Sequence, residues 1–412
     1  MKKLLIAVVL MMGAANVFGA GFGLYEASAR GNAMGGALIG KGYDASANYY
    51  NAAALTDTTN VSVSVGATLI NPFCDSRVNG QQQQKMNSGW FTAPTFYLSV
   101  PVTDDLYLGW GNYAEYGLGT KYKYDWALAW DTTETTIEQY TLNPNIAYKI
   151  TDWWSIGAGL RVSYINFENY ANPLMNHPLL PGYNLRSHLK GDDWGLGYQV
   201  GTKFKITDTV HVGVLYRSKI EHNIKGSFTM DGTPTPMAAS GDASAKLTLP
   251  SSVTVGANWD ITDKWRVGAT IIWTEWSEVD TIHFNLPKSY SYPQRLDFRD
   301  AFRYGMGTEY DFNDWLQGRL GYVYDLDPSH ENRGTTMLPA GDRHIIATGL
   351  GFNLTEQLRF DVGLSFICME RSTREISDHN AAKINPALAR SRHWACRNSF
   401  SYLISAGLTY NF

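Results

Sequence analysis

The sequence is short of charge, of cysteine and of long hydrophobic runs. Charged residues occupy 17% of its 412 positions, against roughly a quarter in ordinary soluble domains, which argues against a cytosolic enzyme. A net charge of −4 and an isoelectric point near 6.1 supply no basic face, so nucleic acid is excluded as a partner. Three cysteines, Cys74, Cys368 and Cys396, are too few for a disulfide scaffold in a chain of this length. Beyond residue 19 no stretch approaches the roughly 18 uncharged apolar residues of a membrane helix. Nor is there a Gly-x-Ser-x-Gly elbow, a His-Glu-x-x-His helix, a phosphate loop or a Cys-x-x-Cys pair. The sequence therefore offers no metal ligand set, no cofactor site and no catalytic residue.

What is present points elsewhere. Aromatics make up 13% of the chain, with 25 Tyr and 13 Trp, beside 39 Gly, yet mean hydropathy is only −0.24. Met1-Lys2-Lys3, the apolar run Leu4 to Met12 and the small residues before Ala20 read as a signal peptide over 1–19. The chain is thus expected to be exported.

Period-two alternation dominates the remainder of the chain. Phe400, Tyr402, Ile404, Ala406, Leu408, Tyr410 and Phe412 fall on one face of the C-terminal segment, and Ser401, Ser405, Gly407, Thr409 and Asn411 on the other, with Leu403 the exception. Residues 153–167 repeat the pattern. Long strands that are apolar on one side and small or polar on the other suit a wall between lipid and an aqueous lumen. Fourteen such segments are expected, near 60–71, 90–101, 105–116, 135–150, 153–168, 193–206, 209–222, 244–259, 264–280, 299–311, 315–326, 343–353, 358–370 and 399–412. Six connections are tight: Thr103-Asp104, Thr151-Asp152, Thr207-Asp208, Thr262-Asp263, Asn313-Asp314 and Thr355-Glu356, where Asp and Asn are expected to bond their own backbone. They alternate with long connections throughout, which is the outer-membrane barrel pattern. The fold class is thus all-β, a 14-stranded antiparallel transmembrane β-barrel over 59–412. An even strand number puts both termini on the periplasmic side.

Residues 20–58 are rich in Gly and Ala and lack the alternation. A barrel of this size has a lumen wider than its own side chains fill, so the segment reads as an N-terminal hatch, or plug, with a periplasmic tail as the alternative. The cysteines fall at one extracellular rim, where a Cys368–Cys396 or Cys74–Cys396 disulfide, or three free thiols, would all fit. The nine histidines, among them His177, His188 and His330, read as solvated. A lipid-acting enzyme would carry a Ser–His pair on the barrel exterior, for instance near His211 or His283.

Several motifs resemble the FadL-type outer-membrane transporters of long-chain fatty acids, whose relatives carry toluene and other aromatic hydrocarbons. They include Ala20-Gly21-Phe22, Gly35-Gly36-Ala37, Asp44-Ala45-Ser46 and Asn51-Ala52-Ala53-Ala54-Leu55 in the hatch. Leu108-Gly109-Trp110-Gly111, Tyr116-Gly117-Leu118-Gly119-Thr120, Tyr216-Arg217-Ser218, Trp273-Thr274-Glu275-Trp276-Ser277 and Phe298 to Arg303 come in order along the barrel. The resemblance implies passive uptake of hydrophobic small molecules, captured on the extracellular side, held near the hatch N-terminus and released sideways through a kink in the third strand. It implies a pocket at Phe22 and Leu24. It also implies a kink at Tyr116, Gly117, Leu118, Gly119 and Thr120, bent by its two glycines. Arg295, Arg299, Arg303 and Arg343 are the candidates for a substrate carboxylate, or else wall residues laddered with Asp297, Asp300 or Asp342. At Asn51-Ala52 the family usually carries Asn-Pro, so a looser hatch turn is expected. Implied partners are a hydrophobic small molecule and outer-membrane lipid, with the chain a monomer. A lipid-acting enzyme, a surface adhesion protein and a water-filled porin are the competing readings.

Overall fold

The computed structural model describes residues 21–80, 82–86, 89–175, 177–179, 182–233, 239–287, 290–330, 334–377 and 390–412. The signal peptide read at 1–19, and Ala20 of the hatch, lie outside the described residues. A ring of fourteen antiparallel strands forms the wall. Its first half is β1 (Ser62–Val78), β2 (Phe91–Pro101), β3 (Leu106–Tyr113 and Gly117–Lys121), β4 (Glu134–Thr151), β5 (Trp154–Ala171), β6 (Asn184–Lys205) and β7 (Val210–Arg217 and Ile220–Thr233). Its second half is β8 (Ala239–Leu249 and Ser252–Asp260), β9 (Trp265–Thr274 and Thr281–Leu286), β10 (Tyr290–Arg295 and Ala301–Asp311), β11 (Leu316–Asp325), β12 (Arg343–Asn353), β13 (Leu358–Met369 and Ser372–Ser377) and β14 (Ser391–Asn411). Gln82–Lys85 folds back on β1. The ring closes where β14 pairs with β1, from Ser62↔Asn411 up to Val78↔Trp394.

Alternation decides which way each side chain points. On β14, Tyr402, Ile404, Leu408, Tyr410 and Phe412 face outward, while Ser401, Leu403, Ser405 and Thr409 are buried within. Leu403 breaks the sequence pattern because it joins Ile70, Ile345, Ile367 and the hatch residue Leu24 in a lumen-side apolar cluster.

Four of the short turns hold by a different bond from the one expected. Thr103, Thr207, Thr262 and Thr355 accept through Oγ1, and Asn313 through Oδ1, from the backbone N–H three residues on, at 2.9–3.1 Å. At these four Thr turns the first residue closes the turn, not the acid beside it, while Asn313 bonds its own backbone as expected. At these ends the strands begin and stop within a residue or two of the sequence reading. At the other end β1, β6, β7 and β14 run up to eleven residues further, the excess of β7, whose second segment ends at Thr233 against the expected 222. Above the lipid both faces meet water, so the amphipathic signal that marks a strand disappears there.

Residues 21–58 fill the lumen as short turns: α1 (Ala29–Ala33), α2 (Ala47–Tyr50) and a 3₁₀ turn (Ala52–Asp57). Ser28 caps α1 by accepting from Gly31 N at 3.0 Å. Three ion pairs moor the segment to three parts of the wall: Arg30–Glu309 at 2.6 Å, Lys41–Asp260 and Lys203–Asp57. The fit depends on wall positions without side chains. A Cβ at Gly307 would strike the Met34 backbone, and one at Gly213 the Ile39 carbonyl. Asn51 is fully buried. Its Nδ2 donates to Ile39 O and Thr202 O, both at 3.0 Å, and its Oδ1 accepts from Ala53 N at 3.1 Å. Asn51 therefore pins hatch to wall and caps the 3₁₀ turn, and Ala52 occupies its first position, where a proline's missing N–H would cost nothing.

Candidate functional site

Four neighbouring strands, β7 to β10, are interrupted at one level, just above the row Arg217, Ser252, Thr274 and Ala301 that the register sets side by side. There the chain leaves the wall and turns large side chains inward. Trp276 enters from a 3₁₀ turn and Phe298 from the break in β10. With Ile165, Phe167, Ile220, Ile224, Leu247, Leu249 and Phe284 they form the largest apolar cluster of the lumen. A rigid, unbroken wall could not place two aromatic rings so far inside.

The hatch N-terminus forms one side of this cluster. Phe22, 2% exposed, packs against Trp276 (ring centroids 5.2 Å apart, near edge-on) and Tyr116 (5.6 Å). Gly21 takes φ +60° directly under the Trp276 ring, where any side chain would collide, so glycine is required on both counts. Leu24 does not share the cluster. It lies with Ile70 and Ala93 on the β1–β2 side. Behind Phe22, the phenol of Tyr25 is pushed up by burial and stacks beneath the Arg303 guanidinium at 4.2 Å.

The third strand departs from the wall beside Phe22. Its ladder with β2 ends at Phe96↔Asn112, leaving Phe91 to Thr95 paired on the β1 side alone. Residues 113–120 are buried in an unbroken run, so the alternation of a wall strand is lost and the segment turns into the lumen. The break lies at Ala114–Tyr116, earlier than the Tyr116–Thr120 read from sequence. Gly117, Leu118, Gly119 and Thr120 are back in register with β4, and neither glycine has a positive φ. Gln139 of β4 makes the bend. Its Oε1 accepts from Glu115 N (2.9 Å) and Tyr116 N (3.2 Å), in place of a strand carbonyl, and its Nε2 donates to Thr141 Oγ1 (2.7 Å) and Ser163 Oγ (2.8 Å). The hatch pairs with the displaced segment: Leu24 N donates to Glu115 O at 2.7 Å and Gly117 N to Phe22 O at 2.9 Å.

Glu115, at the turn, is held by Arg161 (2.6 Å) and Arg217 (3.3 Å), with Thr141 donating at 3.0 Å. Burying this charge costs desolvation, which the two guanidinium groups offset. Sequence reading passed over Glu115 and Gln139. Their signal was a lone acid in Ala114-Glu115-Tyr116 and a polar side chain on the lumen face of β4, both readable only once the lumen face is known to be filled.

The arginines proposed for a carboxylate separate. Arg295 and Arg299 are exposed, because Leu296 and Phe298 take the inward phase of that segment. Arg343 is buried and donates to Asp325, which also accepts from Arg303 at 2.7 Å. Arg303 and Arg343 thus share Asp325, an acid that the sequence reading did not name.

The histidines are less solvated than their loop positions suggested. His177 is buried, and His188 contacts Glu168 at 2.6 Å, while His330 is exposed. Of the two placed on the barrel exterior, His211 is buried against the hatch side and His283 is exposed. A Ser–His–acid series does occur inside: Ser163 Oγ lies 3.1 Å from His222 Nε2, and His222 Nδ1 3.4 Å from Asp193. Ser163 and His222 are fully buried, and Gln139 also bonds the hydroxyl. No face of that oxygen is open to an acyl carbon.

Over the extracellular mouth, residues 122–133 carry Tyr122, stacked on Trp126 at 4.1 Å, and join Trp130, Met175 and Trp394 in a second apolar cluster. Asp131 ties this cap to Thr336, accepting from its N and Oγ1, each at 2.6 Å. Cys74 and Cys396 form a disulfide (Cα–Cα 6.0 Å) within it, and Cys368 is free and exposed.

The model of the outer membrane protein transport protein family (OMPP1/FadL/TodX) matches residues 10–412. The "long-chain fatty acid transport protein" of Escherichia coli O6:H1 is 25% identical over 97% of this chain and 98% of its own length. Among solved structures, a Pseudomonas aeruginosa FadL homologue superposes with a TM-score of 0.84 at 20% identity, covering 95% of this chain and all of that one. The toluene transporter TodX of P. putida gives 0.71 at 18% identity, over 93% of this chain and 98% of its own.

Proposed function

The chain belongs to the OMPP1/FadL/TodX family of outer membrane transport proteins, and from that premise we propose a path for its cargo. It is a protein of the bacterial outer membrane that takes up hydrophobic molecules, and it is not an enzyme. A hydrophobic molecule enters beneath the extracellular cap, rests in the apolar cluster closed by Phe22 and Trp276, and leaves sideways where β3 parts from β2. The observation that carries this reading is the stretch Phe91 to Thr95, paired with β1 but not with β3, beside the inward-turned residues 113–120. Lateral exit keeps an apolar cargo out of water, worth about 0.8 kcal/mol per CH₂. A path through the moored hatch would forfeit that.

The cargo we infer is neutral. The interior arginines near the cluster are engaged by carboxylates, Arg303 and Arg343 by Asp325 and Arg161 and Arg217 by Glu115. Fatty acids, which a relative's name indicates, need a cation for the head. The test is uptake of labelled toluene and labelled oleate by cells lacking other routes. Faster toluene entry on expression of the chain supports the reading, a preference for oleate assigns one of these arginines to the substrate, and no gain for either removes it. Replacing Gly117 and Gly119 by Val adds bulk at two buried positions of the inward-turned run, beyond the bend itself, and should lower uptake while the barrel still folds. Unchanged uptake would separate the exit from this segment.

A further inference from the structure

Outside the lumen, above the seam where the ring closes, three arginines share one outward face. On β1, Cys74, Ser76 and Val78 point inward, so Asp75 and Arg77 point out. On β14, Trp394 and Cys396 are buried, so Arg397 points out, directly across from Asp75. On the third strand of the seam, Arg371 is exposed and precedes Ser372, the partner of Cys396. Arg371 and Arg77 both lie close enough to Arg397 to repel its charge. The register also sets exposed Lys85 across from Asp75, so among the described residues the patch is net positive. Arg397 Nε has no hydrogen-bond partner among the described residues. Like charges gathered on a surface strand cost stability, so an anion that neutralises them would repay the arrangement.

The height of the patch identifies that anion. Just below it, Phe73 stacks on Phe400 at 4.9 Å, and Phe366 meets Tyr402 at 5.4 Å, all on the outer wall. At the opposite end of β14 stand Tyr410 and Phe412. About ten residues separate Tyr410 from Phe400, which at about 3.3 Å per residue and a tilt near 40° gives roughly 25 Å, the height of the apolar band of such barrels. Arg397, three residues beyond Phe400, then stands roughly 8 Å above the band, at the depth of lipid headgroups. We propose that Arg77, Arg371 and Arg397 form a site on the outer wall for a phosphate-bearing lipid of the outer leaflet, its headgroup on the arginines and its chains along Phe73, Phe400 and Phe366. The site secures the closure seam to the membrane independently of cargo uptake.

Native mass spectrometry of the detergent-purified full chain tests this with bisphosphorylated lipid A, the same lipid stripped of phosphate, and inorganic phosphate. The variant is Arg77→Gln/Arg371→Gln/Arg397→Gln, its folding checked by heat-dependent gel migration. Headgroup attraction of roughly fivefold in affinity per arginine predicts a loss of about a hundredfold for bisphosphorylated lipid A. The stripped lipid should bind wild type and variant equally weakly, and inorganic phosphate at the same concentration should not displace the lipid. Retained binding by the folded variant, or equal binding of both lipids to wild type, overturns the site. Displacement by inorganic phosphate would reduce it to an anion site with no lipid specificity, and overturns it too.

Discussion

Gln139→Leu isolates what bends the third strand. Leucine keeps most of the volume but removes all four hydrogen bonds of the amide. Thr141 keeps Glu115 as a partner and Ser163 keeps His222. The backbone N–H groups of Glu115 and Tyr116 have no such alternative and are buried. An unsatisfied buried donor costs about 1–3 kcal/mol, so the pair should cost about 2–6 kcal/mol. The chain can escape part of this only by drawing 114–116 back toward β4, which would straighten the bend. Urea unfolding of the protein in lipid vesicles measures the first effect, and uptake of a labelled hydrophobic probe the second. Ser163→Ala is the control, because it removes one partner of the amide nitrogen and leaves both backbone N–H bonds to the amide oxygen in place. The leucine variant should lose stability and uptake, and the Ser163→Ala variant should be milder in both. A leucine variant within about 0.5 kcal/mol of wild type with full uptake would refute it, since that is the range of substitutions that touch nothing.

The same geometry sets the outcome of other perturbations. Phe22→Ala should weaken ligand binding by about 1–3 kcal/mol, measured by fluorescence titration, given the near-complete burial of the ring; unchanged affinity would move the pocket away from Phe22. Glu115→Ala strands Arg161 and Arg217 and should destabilise the fold by about 3–5 kcal/mol in the same unfolding assay, with a loss under about 1 kcal/mol counting against a buried cluster. Arg30→Ala with Lys41→Ala removes two of the three ion pairs that moor the hatch and should turn a quiet protein into one with steady conductance in planar bilayers. Wild-type protein that conducts as strongly would contradict a plugged lumen. Alkylation of unfolded, unreduced protein should tag one thiol, Cys368, and all three after reduction; mass measurement decides.

The wall was legible in the sequence because lipid enforces it. Every outward residue must be apolar at alternate positions, and the Thr and Asn of the periplasmic turns mark where strands stop. The extracellular extensions of β6 and β7 were not, since water on both faces removes the constraint. The site was partly legible. Glycines and aromatics marked the chain around Phe22 and Tyr116, but the true bend is produced by Gln139, a side chain on another strand. Nothing local at Ala114–Tyr116 encodes it. The same holds for Arg343, whose acid Asp325 lies 18 residues away on the neighbouring strand, and for Trp276, whose inward turn needs four strands interrupted at one level.

The central claim is that an apolar molecule rests inside the barrel against the hatch N-terminus. A crystal of the protein grown with a brominated hydrocarbon and measured at the bromine absorption edge tests it directly. The account predicts an anomalous peak among Phe22, Trp276 and Phe298, while bromine found only on the lipid-facing wall, with the interior free of it, would contradict it.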